Sequence, residues 1–189
     1  MNLPNKLTIL RILMIPLFLA AIYWQGLPWH FLWALVIFAL ASFTDLLDGR
    51  IARSRDLVTD FGKFMDPLAD KVLVMTALVC FVEMGMAPAW VVVLILAREL
   101  AVTGLRTLAA GAGVVLAADK WGKLKTVSQM TWICYALLTQ WLIHDLGVGT
   151  PAAGNLFMIY LVGMAVVVVA TVGSGVNYLW RNRALFADR

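Results

Sequence analysis

Charged residues are scarce in this sequence of 189 residues, where Asp, Glu, Lys and Arg together account for 14%. A water-soluble domain carries about 25%. Hydrophobic residues make up 62% before glycine is counted, which excludes a fold surrounded by water and an intrinsically disordered chain. Cysteine is nearly missing as well: Cys80 and Cys134 each lie inside an apolar run, which excludes a disulfide scaffold. The composition indicates a single membrane domain over residues 1–189.

Long apolar runs stand where a soluble protein would carry charge. A membrane-crossing helix needs about 20 mostly apolar residues, and the sequence predicts six such helices. They cover residues 7–25, 30–50, 66–86, 88–110, 124–144 and 154–180. Three of the breaks between them are rich in Gly and Pro and contain no Lys or Arg. The predicted fold class is therefore all-α, a polytopic integral membrane protein with six transmembrane helices.

Basic residues are distributed unevenly about these spans. Thirteen of the fifteen Lys and Arg lie on the side opposite to the three Gly- and Pro-rich breaks. Cytoplasmic loops carry the excess of Lys and Arg in membrane proteins, so both termini are predicted to be cytoplasmic. No cleavable signal peptide is predicted, because the first apolar run contains Arg11 and lacks a small-residue cleavage site. We expect a multi-pass protein of the cell inner (plasma) membrane.

Four aspartates inside the predicted spans carry the strongest functional signal. Asp45 and Asp48 are three residues apart, and Asp66 and Asp70 are four apart, so each pair shares one face of its helix. Carboxylates without nearby Cys or His suit hard divalent ions, and two such ions can clamp both oxygens of a phosphoryl displacement. The alternative is that basic neighbours pair with these acids and only join two helices. Those neighbours are Arg50, Arg53 and Lys71.

The four aspartates belong to a longer pattern, D-x2-D-G-x2-A-R-x8-G-x3-D-x3-D, over residues 45–70. On this pattern the sequence resembles the CDP-alcohol phosphatidyltransferase family. Further similarity lies in residues 4–11, 98–106 and 122–126, so the resemblance covers roughly residues 2–130.

The resemblance implies a metal-dependent enzyme whose donor is CDP-diacylglycerol. Asp45, Asp48, Asp66 and Asp70 would bind two Mg²⁺ (or Mn²⁺) ions, and Asp70 would also act as the catalytic base that takes the acceptor's proton. The residues implied in holding the CDP part are Gly49, Ala52, Arg53 and Gly62.

Near the amino terminus, Asn5, Thr8 and Arg11 could reach the diphosphate of the donor, or they could simply cap and anchor the first helix. The family resemblance also implies a homodimer in a lipid bilayer, and no nucleic acid partner is expected.

The acceptor must be argued from residues outside the aspartate pattern. Arg98, Arg106, Lys123 and Lys125 come from two neighbouring cytoplasmic helix ends, and Thr103 shares a helix face with Arg106. Such a cluster suits a dianionic phosphate, because Arg gives bidentate hydrogen bonds and Lys a point charge. We therefore expect phosphatidyl transfer to sn-glycerol 3-phosphate, giving phosphatidylglycerophosphate and CMP in phosphatidylglycerol and phospholipid biosynthesis.

Three alternatives stay open at this point. The same chemistry could use another acceptor, such as serine or an inositol phosphate. Lys123 and Lys125 could be topology charges or attract anionic lipid. A more remote alternative is a small ion or solute transporter, in which the acids line an ion path, although the charges cluster near one membrane face.

Overall fold

A computed structural model describes residues 3–55, 60–111 and 120–183, with side chains described at residues 8–44, 69, 71–111 and 121–183. These residues form six α-helices and one π-helical segment, with no strand among them. The helices are α1 (Leu3–Tyr23), α2 (His30–Arg55), α3 (Asp60–Glu83), α4 (Ala89–Gly111), α5 (Lys120–Gln140) and α6 (Thr150–Arg181), and the π-helical segment Trp141–Asp145 continues α5. The prediction of an all-α fold with six helices is confirmed.

Each helix contains most of one predicted apolar run, but several helices extend beyond it. α2 continues to Arg55 and α3 begins at Asp60, whereas the apolar runs stop at residue 50 and start at residue 66. Hydropathy marks where a chain is apolar, and a polar segment can keep helical backbone beyond that point. The stretch that carries the aspartate pattern is therefore helical on both sides of residues 56–59.

The turn after α3 follows the hydrogen-bond pattern of a Schellman motif. Gly85 has φ of 69°, in the left-handed region that glycine enters without a Cβ penalty. Its N–H donates to the carbonyl of Val82 at 3.1 Å, and the N–H of Met86 donates to the carbonyl of Phe81 at 2.8 Å. These bonds satisfy carbonyls that the end of a helix leaves unpaired. The hydroxyl of Tyr160 on α6 donates to the carbonyl of Met86, which ties the turn to α6.

One compact unit comprises Met1–Cys80 and Ile133–Phe157. Within it α1 packs along α2, and the rings of Phe18 and Phe38 meet with centroids 6.1 Å apart. The buried apolar side chains of these two helices are Phe18, Ala21, Ile22, Phe31, Ala34, Phe38 and Ala41. Alternating large and small side chains let the two helices approach closely.

The other compact unit comprises Phe81–Trp132 and Met158–Arg189. Trp132 on α5 is nearly fully buried, and its indole N–H donates to the carbonyl of Tyr160 at 3.2 Å. Its ring lies 5.5 Å from that of Tyr160 and meets Phe81 edge-on at 5.9 Å. We call Phe81, Trp132 and Tyr160 the aromatic cluster of this unit.

Among the described helices, only α6 (Thr150–Arg181) is long and apolar enough to cross a membrane by length and composition. Shorter apolar stretches occupy Thr8–Tyr23 of α1 and His30–Thr44 of α2. In the most apolar part of α6, 22% of the residues are buried, so most of its apolar side chains lie on the outside. Membrane crossing by all six helices stays a prediction.

Candidate functional site

The aspartate pattern lies on two consecutive helices. Asp45 and Asp48 are on α2, and Asp66 and Asp70 are on α3, so helical backbone places each pair on one side of its helix, as predicted. Their side chains lie outside the described residues, and among the side chains that are described no group of three His, Cys, Asp or Glu could hold a metal. The metal site stays a prediction. The predicted CDP-binding side chains outside the description are Asn5, Gly49, Ala52, Arg53 and Gly62.

Thr8 and Arg11 on α1 are described, and both are completely buried. Burying an arginine inside an apolar helix is expensive, and such residues usually face a bundle interior or a polar cavity. The inward position of Arg11 fits contact with the donor and fits anchoring of the helix, so both interpretations stay open.

Three charged side chains meet between α4 and α5. Glu99 accepts a hydrogen bond from the Nη1 of Arg98 at 2.8 Å and another from the Nζ of Lys125 at 2.5 Å, both on its Oε1. The side chains of Arg98, Glu99 and Lys125 are 13%, 22% and 3% exposed. Two cations therefore share one carboxylate oxygen. We call these three residues the ionic cluster.

Arg98 is held from α6 as well as from α4. Its Nε donates to the Oγ of Ser174 at 3.1 Å. A Cβ added to Gly175 would lie 3.2 Å from the Cγ of Arg98, and one added to Gly122 on α5 would lie 3.6 Å from Nη2. Two neighbouring helices therefore carry glycine where the arginine side chain passes.

Arg106 lies about two turns further along α4 and, like Arg98, contacts α6. Its Nε donates to the hydroxyl of Tyr178 at 3.1 Å, and its guanidinium carbon lies 5.5 Å from the centre of the tyrosine ring, within cation–π range. Tyr178 is buried against Val102 and Leu105, whereas Arg106 is exposed. Tyr178 thus offers a buried surface on which an exposed arginine is oriented.

The structure brings together part of the predicted acceptor site. Arg98 and Lys125 meet directly at Glu99, and Arg106 follows on α4. Thr103 is half-buried on α4, and Lys123 is exposed on α5; their predicted role in phosphate binding stays a prediction.

Two partners of these arginines were not found from the sequence. Ser174 and Tyr178 lie in the last apolar run, for which no motif was identified. The available signal was the spacing of two hydroxyl residues four positions apart, on one face of an otherwise apolar helix. Glu99 was not among the predicted site residues, and its two cationic partners were not predicted.

A family model described as CDP-alcohol phosphatidyltransferase matches residues 1–172 of the chain. The chain belongs to the CDP-alcohol phosphatidyltransferase family. The resemblance seen in the aspartate pattern is confirmed, and the match extends over most of the sequence. A member of this family is a transferase, which is the enzyme class predicted, and the transporter alternative loses its support.

Several curated members of the family are similar to this chain over most of its length. The CDP-diacylglycerol--glycerol-3-phosphate 3-phosphatidyltransferase of Bacillus subtilis (strain 168) is 43% identical over 96% of this chain and 95% of its own length. A probable phosphatidylglycerophosphate synthase of Mycobacterium tuberculosis (strain ATCC 25618 / H37Rv) is 42% identical over 95% of this chain and 81% of its own. The CDP-diacylglycerol--glycerol-3-phosphate 3-phosphatidyltransferase of Rickettsia felis is 43% identical over 68% of this chain and 71% of its own length.

Proposed function

We propose that this chain transfers the phosphatidyl group from CDP-diacylglycerol to sn-glycerol 3-phosphate, releasing CMP and forming phosphatidylglycerophosphate for phospholipid biosynthesis. The observation that carries the choice of acceptor is the meeting of Arg98 and Lys125 in the ionic cluster, with Arg106 further along α4. The names of the Bacillus and Mycobacterium relatives, which match nearly the whole chain, support the same donor and acceptor.

The charge of the acceptor decides between the candidate substrates. A phosphate dianion can accept charge-assisted hydrogen bonds from Arg98 and Lys125, which are stronger than bonds between neutral groups. Serine has no phosphate and would leave these cations on Glu99. An inositol phosphate carries the right charge, so only direct comparison separates it from sn-glycerol 3-phosphate.

The donor side of the reaction is assigned to the aspartate pattern. Four carboxylates in two helical pairs form a donor set that fits two Mg²⁺ or Mn²⁺ ions. Bound there, the ions would neutralise the diphosphate and stabilise the charge that develops on CMP. Asp70 would accept the proton of the 1-hydroxyl of sn-glycerol 3-phosphate. The hydroxyl oxygen then bonds to the lipid-linked phosphorus as the bond from that phosphorus to CMP breaks.

We also propose that all six helices cross the cell inner membrane, with both termini and the site on the cytoplasmic side. In support, α6 exposes apolar side chains along its length, which suits contact with lipid. The exposed tryptophans near the ends of the predicted spans fit interfacial belts; they are Trp24, Trp29, Trp33, Trp90, Trp121 and Trp180. A homodimer belongs to the same proposal, and the mass of the purified protein in detergent tests it.

An acceptor panel tests the proposed reaction. Purified protein receives CDP-diacylglycerol and Mg²⁺ with sn-glycerol 3-phosphate, serine, an inositol phosphate or glycerol, and CMP and lipid products are measured. We expect CMP and phosphatidylglycerophosphate with sn-glycerol 3-phosphate and background with the others. Equal turnover with serine or an inositol phosphate would contradict the proposed acceptor, and full activity in excess chelator would contradict the metal.

Asp66→Asn is expected to reduce turnover by at least about 10³-fold, because it replaces an anionic metal ligand with a neutral amide. Asp145→Asn makes the same chemical change in the π-helical segment, outside the predicted site, and serves as the control. Both variants should insert into membranes like the parent. Retained metal-dependent CMP release by Asp66→Asn would show that this aspartate is misassigned.

A further inference from the structure

The carboxyl-terminal part of α6 contacts both arginines that the proposed function assigns to the acceptor phosphate. Ser174 accepts from Arg98, and Tyr178, one turn later, accepts from Arg106. Both lie beyond the matched residues 1–172. We propose that Ser174 and Tyr178 are positioning residues that orient the guanidinium groups of Arg98 and Arg106 toward the acceptor phosphate. This inference rests on the proposed function and gives α6 a part in binding the acceptor.

The shared feature of the two contacts is the nitrogen they use. In each arginine the Nε–H is bound to a hydroxyl oxygen of α6. A bond at Nε restrains the guanidinium and leaves the Nη1 and Nη2 edge on its other side, an edge that can bind a phosphate bidentately. In Arg98 the Nη1 of that edge also donates to Glu99. A group held in this way loses less conformational freedom when a ligand binds.

The serine is itself oriented. Ser174 is almost fully buried, and its Oγ–H donates to the carbonyl of Thr171 at 3.1 Å. Because its single hydrogen is used there, the oxygen meets Arg98 as an acceptor. Gly175, next in sequence, leaves the space through which Arg98 passes. α6 thus supplies both an acceptor atom and room for the arginine stem.

The Tyr178 contact is not needed to bury a charge. Arg106 is exposed and would be solvated without the tyrosine, so the pair contributes little to stability. Within the described part of the chain, Tyr178 is the hydrogen-bond partner of Arg106. Losing this contact should free the arginine to adopt many rotamers, and the acceptor would then have to order it on binding.

Steady-state kinetics of Tyr178→Phe and Ser174→Ala test the proposal. Each keeps the packing volume closely and removes the hydroxyl. We expect the KM for sn-glycerol 3-phosphate to rise roughly three- to ten-fold, as for one hydrogen bond, with the KM for CDP-diacylglycerol unchanged. Ser174→Thr, which keeps a hydroxyl, should restore the parent value. Unchanged KM values for both substrates would overturn the proposal, and so would a parallel rise in both with a lower unfolding temperature.

A double-mutant cycle shows whether Tyr178 acts through Arg106. In an Arg106→Ala background, Tyr178→Phe should cause no further rise in the acceptor KM. A full additive effect would overturn the proposed coupling.

A matched glycine pair probes the passage beside Arg98. Gly175→Ala should raise the acceptor KM, because the new Cβ presses on the Cγ of Arg98. Gly173→Ala, two residues away with nothing within 4 Å of the added Cβ, should not. Equal effects of the two substitutions would overturn the role given to this face of α6.

Failure of this inference is distinguishable from failure of the proposed function. If the parent protein releases no CMP with sn-glycerol 3-phosphate, the proposed function falls and the inference falls with it. If the parent uses that acceptor and the hydroxyl variants have parent KM values, only the inference falls.

Discussion

The compact unit formed by Phe81–Trp132 and Met158–Arg189 contains two different kinds of contact in its two parts. Near the turn at Gly85, the aromatic cluster packs rings against rings and uses single hydrogen bonds to backbone carbonyls. From Arg98 onward, α4, α5 and α6 hold the largely buried ionic cluster and orient Arg106. Charges are expensive to keep in apolar helices, whereas aromatic packing is not. The comparison indicates that one part stabilises the unit and the other serves substrate binding.

Truncating the aromatic cluster should give the largest loss of stability. Trp132→Ala removes the ring that lies between Phe81 and Tyr160, and a cavity of this kind costs about 3–5 kcal/mol. The unfolding temperature in detergent should fall clearly, while protein that stays folded keeps its KM for sn-glycerol 3-phosphate. Trp121→Ala, at an exposed tryptophan of the same helix, is the control. Similar losses for the two variants would contradict the stabilising role of the aromatic cluster.

Removing a cation from the part of the unit that starts at Arg98 should affect catalysis instead of stability. Arg106→Ala is expected to lower kcat/KM for sn-glycerol 3-phosphate by about 100-fold, which corresponds to about 2.7 kcal/mol, with little change in unfolding temperature. Arg183→Ala is the control, because Arg183 is also exposed and also lies over an aromatic ring, that of Trp180, at 5.0 Å. A comparable kinetic loss in the control would show that the effect is general to surface arginines.

The smallest effect, and the sharpest comparison, comes from removing one tyrosine hydroxyl in each part. Tyr160→Phe deletes the hydrogen bond to the carbonyl of Met86 and should cost about 1 kcal/mol of stability with no change in acceptor KM. Tyr178→Phe should raise the acceptor KM with little change in stability. If both variants lose stability alike and neither shifts the acceptor KM, the division of labour between the two parts is wrong.

Much of the fold was predictable from local pattern. Apolar runs of sufficient length, interrupted by Gly- and Pro-rich breaks, predicted six helices, and six are present in the described residues. The π-helical segment Trp141–Asp145 was not predicted. Its wider turn forms because backbone N–H groups at the end of α5 bond five residues back instead of four, as the N–H of Leu146 does to the carbonyl of Trp141. Side-chain hydropathy carries no information about that difference.

The candidate site was predictable where function fixes residue identity and spacing, and less so where it depends on partners distant in sequence. The aspartate pattern was sufficient to predict the family. The basic residues on α4 and α5 were predicted from their charge and their position at helix ends. The partners of those arginines were not: Ser174 is 76 residues from Arg98, and Tyr178 is 72 from Arg106. Only the packing of α6 on α4 brings a serine and a tyrosine of ordinary appearance to these positions.

The hydrogen bond from Tyr160 to Met86 has a consequence for how this chain can vary. Its acceptor is a main-chain oxygen, which persists whichever amino acid occupies position 86. Ser174 follows Tyr160 by about 14 residues, a distance of roughly 21 Å along the helix axis. One inserted or deleted residue in that interval would swing the serine and Tyr178 by about 100° around the axis, away from their arginines. Between Tyr160 and Ser174, α6 can therefore accept substitutions more readily than insertions or deletions, because the number of residues sets the distance and the rotation between the two contacts.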